Sequence, residues 1–254
     1  PDNKMLLTAW NNHKLRLYDQ QSRRVRVLAG DGPGFSGDGE LAWNALMDHP
    51  SQTVVGPDES LYILDQWNQR IRKVDTEGII TTVVGTGVAG FSGDGGPPLQ
   101  AQIKMRDGDD LTPAGALAFD GQGRLFISDT YNQRIRMVDF SLDRIETVAG
   151  TGQAGFGGDG GSALTARLNR PRDIEVGGDG RLYVADELNH RIRAIDLSSG
   201  TISTVAGTGI VGFSGDGGQA LQAQLNRPAG IAFDPDGNLF IADTYNHLIR
   251  HVTM

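Results

Sequence analysis

Apolar and polar residues alternate with period two in short runs, and those runs recur. Arg70-Ile71-Arg72-Lys73-Val74, Arg134-Ile135-Arg136-Met137-Val138 and Arg191-Ile192-Arg193-Ala194-Ile195 each begin this way, which predicts half-buried strands. A Leu-aromatic-Ile/Val run precedes each one, as in Leu61-Tyr62-Ile63, Leu125-Phe126-Ile127 and Leu182-Tyr183-Val184, and reads as a partner strand across a turn. Five such units, 5–19, 61–75, 125–139, 182–196 and 239–252, superimpose without gaps, and their asparagines at 12, 68, 132, 189 and 246 are spaced 56, 64, 57 and 57 apart. A third strand is predicted at 79–84, 145–149 and 202–206, and a fourth, after a long connection, at 115–119, 173–176 and 230–233. Four antiparallel strands per repeat predict an all-β propeller, because a single blade cannot bury both of its faces and must pack on neighbours. The expected boundaries are one domain over 1–254, with blades at about 1–49 (partial), 50–112, 113–170, 171–227 and 228–254 (partial).

Glycine changes the picture of the connections. Of 36 glycines, 24 fall in four segments, 30–39, 85–96, 150–161 and 207–218. Each lies between the outer strand of one blade and the inner strand of the next, so the four should form a collar of glycine-rich loops. Short helical pieces are expected behind them at 98–103, 163–168 and 220–225. Phe35, Phe91, Phe156 and Phe213 read as anchors that pin each loop to its blade, and Asp38, Asp94, Asp159 and Asp216 as acceptors for loop amides, with Ca²⁺ ligation the alternative although one carboxylate per loop falls short of the six to eight oxygens it needs. Gly-Thr-Gly-x-x-Gly at 85–90, 150–155 and 207–212 matches a dinucleotide fingerprint in letters only, since that fingerprint needs a βαβ unit and a helix N-terminus.

The run Pro228-Ala229-Gly230-Ile231-Ala232-Phe233-Asp234, continued by Gly237-Asn238-Leu239-Phe240-Ile241-Ala242-Asp243-Thr244-Tyr245-Asn246-His247 and Ile249-Arg250, resembles the NHL-repeat consensus. The resemblance extends over essentially the whole chain, five times. It implies a propeller, commonly of six blades, that binds proteins or other polymers and occasionally carries lyase-type chemistry. Ala9, where the other units have Asp, and Leu248, where they have Arg, depart from the pattern. By phase, the first unit lacks an inner strand and the last an outer one, so the expectation is an incomplete six-bladed ring within a longer chain.

Composition then narrows the function. Lys plus Arg total 23 against 31 Asp plus Glu, a net charge of −8, which disfavours nucleic acid as the partner. No cysteine is present, excluding thiolate metal sites and cysteine nucleophiles. Apolar runs are too short for membrane insertion. Positions that vary between units are the candidate binding residues: Trp67, Tyr131 and Tyr245 at the turns, His190 and His247 beside them, and Arg106 in the one irregular loop. Asp107, Asp109 and Asp110 in that loop are the candidate cation ligands, and His49, Asp173 and Gln52 lead into inner strands. No nucleophile elbow or His-Glu-x-x-His is present. The reading is an extracytoplasmic recognition scaffold without catalytic residues or a cofactor, binding a protein or polysaccharide through loops on one face. Two alternatives remain: a lyase or hydrolase with a metal at the channel mouth, and a structural spacer in a larger extracellular protein.

Overall fold

The computed structural model describes residues 3–108 and 112–254. The chain is an all-β propeller of five antiparallel blades. Blade one has strands Lys4–Ala9, Lys14–Asp19 and Arg24–Ala29. Blade two has Pro50–Val55, Leu61–Asp65, Arg70–Val74 and Ile79–Val84, with the two-residue strand Glu40–Leu41 added at its outer edge. Blade three has Leu117–Phe119, Leu125–Asp129, Arg134–Asp139 and Arg144–Ala149, and blade four Pro171–Val176, Arg181–Asp186, Arg191–Asp196 and Ile202–Ala206. Blade five has Pro228–Phe233, Leu239–Asp243 and Leu248–Val252. The period-two reading therefore placed the strands, and blades one and five carry three strands each.

The chain divides into two compact units, residues 1–117 with 139–145 and residues 118–138 with 146–254. In the first, the core gathers Leu15, Ala29, Met47, Ile63, Val74 and Ile80 between blades one and two. In the second, Tyr183, Ala185, Ile192, Ala194, Leu225, Ile231, Leu239 and Ile241 fill the space between blades four and five. These are the inward members of the alternating runs; burying each removes apolar surface worth about 25 cal/mol per Å² from water.

Where helical pieces were expected behind the loops, the chain makes single 3-10 turns, Pro98–Gln100, Ala163–Thr165 and Ala220–Gln222. The following alanines return at once to extended backbone, with ψ near 148°, 155° and 145°, so no longer helix can propagate. Three of the four loops also pair with the outer strand of the blade they cover: Gly39 N–H donates to Ile80 O, Gly95 to Ile145 O and Gly160 to Ile202 O, at 2.7–2.8 Å. The edge that a propeller blade would otherwise expose is occupied by backbone of its own chain.

Candidate functional site

The repeated Asp-x-x-Asn-x-Arg-Ile-Arg unit is a fold device. In blade four, Asp186 Oδ1 accepts the Asn169 amide at 2.7 Å, while Oδ2 accepts Asn189 Nδ2 at 2.8 Å and Arg193 at 3.4 Å. Asn189 reaches on to Gly155 O at 2.7 Å, and Arg193 to Arg167 O and Gly157 O, so one buried carboxylate organises turn, lead-in and loop together. Blades two and five repeat the arrangement around Asp65 and Asp243. Burial pushes the Asp65 and Asp186 carboxyls up to about 6 against the pull of their donors.

The loop aspartates expected to hold loop amides bind the second arginine instead. Asp38 lies 2.8 Å from Arg72, Asp159 2.7 Å from Arg193 and Asp216 2.5 Å from Arg250. The physical reason is that each buried guanidinium needs a second acceptor beyond the turn aspartate. The loop phenylalanines anchor through the same arginines. Arg70 and Arg72 lie over Phe35, and Arg191 and Arg193 over Phe156. Phe213 has Arg250 alone, because Leu248 replaces the other arginine, and it is 54% exposed against 40% and 43% for Phe35 and Phe156. The Gly-Thr-Gly segments serve the first arginine: Arg70, Arg134 and Arg191 donate to Thr86 O, Thr151 O and Thr208 O. A Cβ on Gly87, Gly152 or Gly209 would stand about 2 Å from that guanidinium, which explains the glycine without any nucleotide.

The residue after each turn asparagine adopts the left-handed region, at φ 53–58° for His13, Gln69, Gln133, His190 and His247. Four of these side chains accept an amide at the start of the next blade: His13 Nδ1 from His49 at 3.2 Å, Gln69 from Met105 at 2.7 Å, Gln133 from Arg170 at 2.6 Å and His190 Nδ1 from Arg227 at 3.1 Å. His190 is thus a blade-to-blade strut, and burial holds it below the usual 6.5. Gln52 and Asp173 link blades in the same manner, accepting the Leu117 and Ile231 amides. His247 and Tyr245 are exposed, with Arg227 4.6 Å above the Tyr245 ring. Tyr131 is half-buried, and its hydroxyl accepts Arg170 at 3.0 Å.

The chemically richest cluster lies in the first unit, where Trp67 and Arg106 meet residues that sequence reasoning did not join. Arg106 stands 3.9 Å over the Trp67 ring, and His49 stacks on Trp67 with centroids 3.7 Å apart. Trp10 packs edge-on against both His49 and Trp67 and donates from Nε1 to Gln66 at 2.8 Å. Trp67 Nε1 is buried without a hydrogen-bond partner among the described residues. Asp48 Oδ1 lies 2.7 Å from His49 Nδ1 and 3.3 Å from His13 Nδ1. Burial and the neighbouring His49 hold His13 below its usual 6.5, with Asp48 pulling the other way. Of the acidic candidates, Asp107 is exposed and pairs with Lys104 at 2.8 Å, while Asp109 and Asp110 lie outside the described residues. The signal that would have found His13–Asp48–His49 is a break in the repeat: Asp48-His49-Pro50 stands where later blades have Asn169-Arg170-Pro171 and Asn226-Arg227-Pro228.

Comparison with known proteins bears on this framework. The profile of the NHL repeat matches residues 225–252, and that of the Teneurin NHL domain matches 142–212. The chain is 29% identical over 261 residues to Protein SUPPRESSOR OF QUENCHING 1, chloroplastic, of Arabidopsis thaliana, covering 99% of this chain and 24% of that protein. It is 23% identical to NHL repeat-containing protein 2 of Gallus gallus (97% and 44% covered) and 26% identical to Teneurin-1 of Mus musculus (91% and 9%). It therefore spans less than half the length of each of these relatives. Among solved structures, an auxiliary nutrient binding protein from Bacteroides thetaiotaomicron superimposes with TM-score 0.65 at 18% identity, covering 99% of this chain and 56% of that one. A streptogramin B lyase superimposes with TM-score 0.55 at 15% identity, covering 100% and 66%. These structures speak for the fold alone. With blades two, four and five built around the same Asp, Asn and Arg contacts, and with these profile matches, the chain is a β-propeller that carries NHL repeats.

Proposed function

We propose that this chain is a recognition module that binds a protein or polysaccharide partner through its loops and turns. The observation that carries the reading is a repeated apolar residue in solvent. Trp43, on a fourth loop 3-10 turn, Ala42–Asn44, occupies the same place as Leu99, Leu164 and Leu221 on theirs, and all four are 53–59% exposed. Large apolar side chains held outward at equivalent positions suit a contact surface. The turn residues Trp67, Tyr131 and Tyr245, with Arg106 and His247, add aromatic and polar groups of the kind that anchor interfaces, whereas His190 is taken up by its strut to the Arg227 amide. An extracytoplasmic setting within a longer protein belongs to the same proposal; among the described residues no helix is long and apolar enough to cross a membrane.

The test is a binding screen of the purified chain against displayed extracellular proteins and glycans. A partner found there should lose about tenfold or more in affinity with Trp43→Ser, Leu99→Ser, Leu164→Ser and Leu221→Ser combined, at an unchanged melting temperature. A partner indifferent both to that variant and to Trp67→Ala/Tyr131→Ala/Tyr245→Ala would overturn the assignment. A second reading, a metal-dependent lyase or hydrolase, is favoured by the cluster of His13, Asp48 and His49. Turnover abolished by His49→Ala would decide for it.

A further inference from the structure

We propose that His13, Asp48 and His49 form a binding site for a divalent transition-metal ion of the Zn²⁺ class. One donor atom from each residue lies within 4.8 Å of the other two. The carboxylate oxygen sits 2.7 Å from one imidazole nitrogen and 3.3 Å from the other. A tetrahedral ion with bonds of about 2.0–2.1 Å sets its ligand atoms roughly 3.3 Å apart, so the donors stand close to the required separation. Two imidazoles with one carboxylate suit Zn²⁺, whereas Ca²⁺ and Mg²⁺ prefer all-oxygen sets.

The repeat supplies an independent reason. At the lead-in to blades four and five the chain uses Asn169-Arg170 and Asn226-Arg227, a neutral residue and a fixed cation. At the same left-handed position in blade two (φ 49° at His49, 55° and 51° at the arginines) it uses Asp48-His49. The local formal charge falls from +1 to −1, a deficit of two that a divalent ion restores. The fold does not need this pair, since it is built elsewhere with Asn-Arg. Nor does it need an imidazole at position 13, because Gln69 and Gln133 make the same strut with shorter bonds, 2.7 and 2.6 Å against 3.2 Å. An ion on His13 Nδ1 would displace that longer bond and replace it with coordination.

The surroundings favour retention of the ion. The side chains of His13, Asp48 and His49 are 16%, 25% and 16% exposed, and the Trp10 and Trp67 rings limit the water that competes for the ion. Three protein ligands leave one coordination position for water or an exogenous ligand. This assignment is independent of the recognition reading.

The experiment is titration of the full chain with Zn²⁺, read by tryptophan fluorescence and calorimetry, and with Co²⁺, read by its visible d–d absorption. The wild type should bind one ion at micromolar or lower concentration, give a tetrahedral Co²⁺ spectrum and melt at a higher temperature with Zn²⁺ present. Asp48→Asn/His49→Arg and His13→Gln each install the residues that other blades use, so the metal-free variants should melt like the wild type. Both should lose about 100-fold or more in Zn²⁺ affinity. The assignment is overturned by absence of saturable one-to-one binding, by undiminished binding in Asp48→Asn/His49→Arg, or by Ca²⁺ binding as tightly as Zn²⁺. If the double variant melts low without metal, His13→Gln decides by the same affinity criterion.

Discussion

Asp186 offers a quantitative test of the reading that the repeated turn serves the fold. The carboxylate and its partner Arg193 are both fully buried, and three donors converge on its two oxygens. Asp186→Ala leaves Arg193 to Asp159 and two backbone carbonyls and strands the Asn169 amide. Breaking a buried ion pair from one side costs about 3–5 kcal/mol, so a loss near 4 kcal/mol is expected. Asp186→Asn keeps an acceptor for the Asn169 amide and should cost about 2 kcal/mol less. The pH dependence separates the two contributions. With a folded pKa of about 6 and an unfolded value of 3.8, the folded state binds the Asp186 proton more tightly. This group's contribution to stability is therefore greatest below 3.8 and declines as pH rises through 6. From pH 5 to pH 7 the wild type should lose about 1 kcal/mol that Asp186→Asn does not, because other titrating groups cancel in the comparison. Urea midpoints followed by tryptophan fluorescence at the two pH values supply the difference. If the stability gap between wild type and Asp186→Asn widens with rising pH, the ion pair with Arg193 outweighs desolvation and the reasoning fails.

Three further perturbations probe the remaining devices. His190 sits below its usual 6.5 and accepts an amide as a neutral ring, so its contribution is complete above pH 6.5 and is lost as pH falls through its depressed folded value; His190→Gln should flatten that acid loss in melting curves from pH 7.5 to 5. Gly209→Ala places a methyl 1.8 Å from Arg191 at φ +80°, whereas Gly217→Ala at φ +77° meets nothing within 4 Å; the first should cost about 2–3 kcal/mol and the second about 1, and equal losses would show that backbone strain alone sets the cost. Leu248→Arg should return a second guanidinium to Phe213 and stabilise the chain by about 0.5–1 kcal/mol, measured as a rise in melting temperature.

Much of the fold was legible because each device repeats. Asp-x-x-Asn-x-Arg-Ile-Arg stands in full at 65–72, 129–136 and 186–193, and a pattern repeated unit after unit points to a structural role. The loop aspartates were misread because their partners are distant in sequence: Asp38 and Arg72 are 34 residues apart, and only the fold of the loop over the following blade brings them together. The helical reading of 163–168 failed because a three-residue 3-10 turn gives the same alanine-leucine pattern as a longer helix. The candidate site was half visible. Trp67 and Arg106 stood out as departures from the repeat, but His13 and His49 meet only when one blade's turn closes on the next blade's first residue, a contact that no periodicity encodes. The substitution of Asp-His for Asn-Arg was readable, and its meaning needed the register.

The struts at the left-handed turn residues all point one way along the chain: His13, Gln69, Gln133 and His190 each receive an amide from residues that are synthesised later. Each of these blades thus carries the acceptor for the blade that follows it, and the loop after it lies on that next blade. The struts have a polarity along the chain. A lesion in one turn acceptor should therefore disturb the blade that follows it in sequence more than the blade that precedes it, because the contact it removes belongs to the later blade.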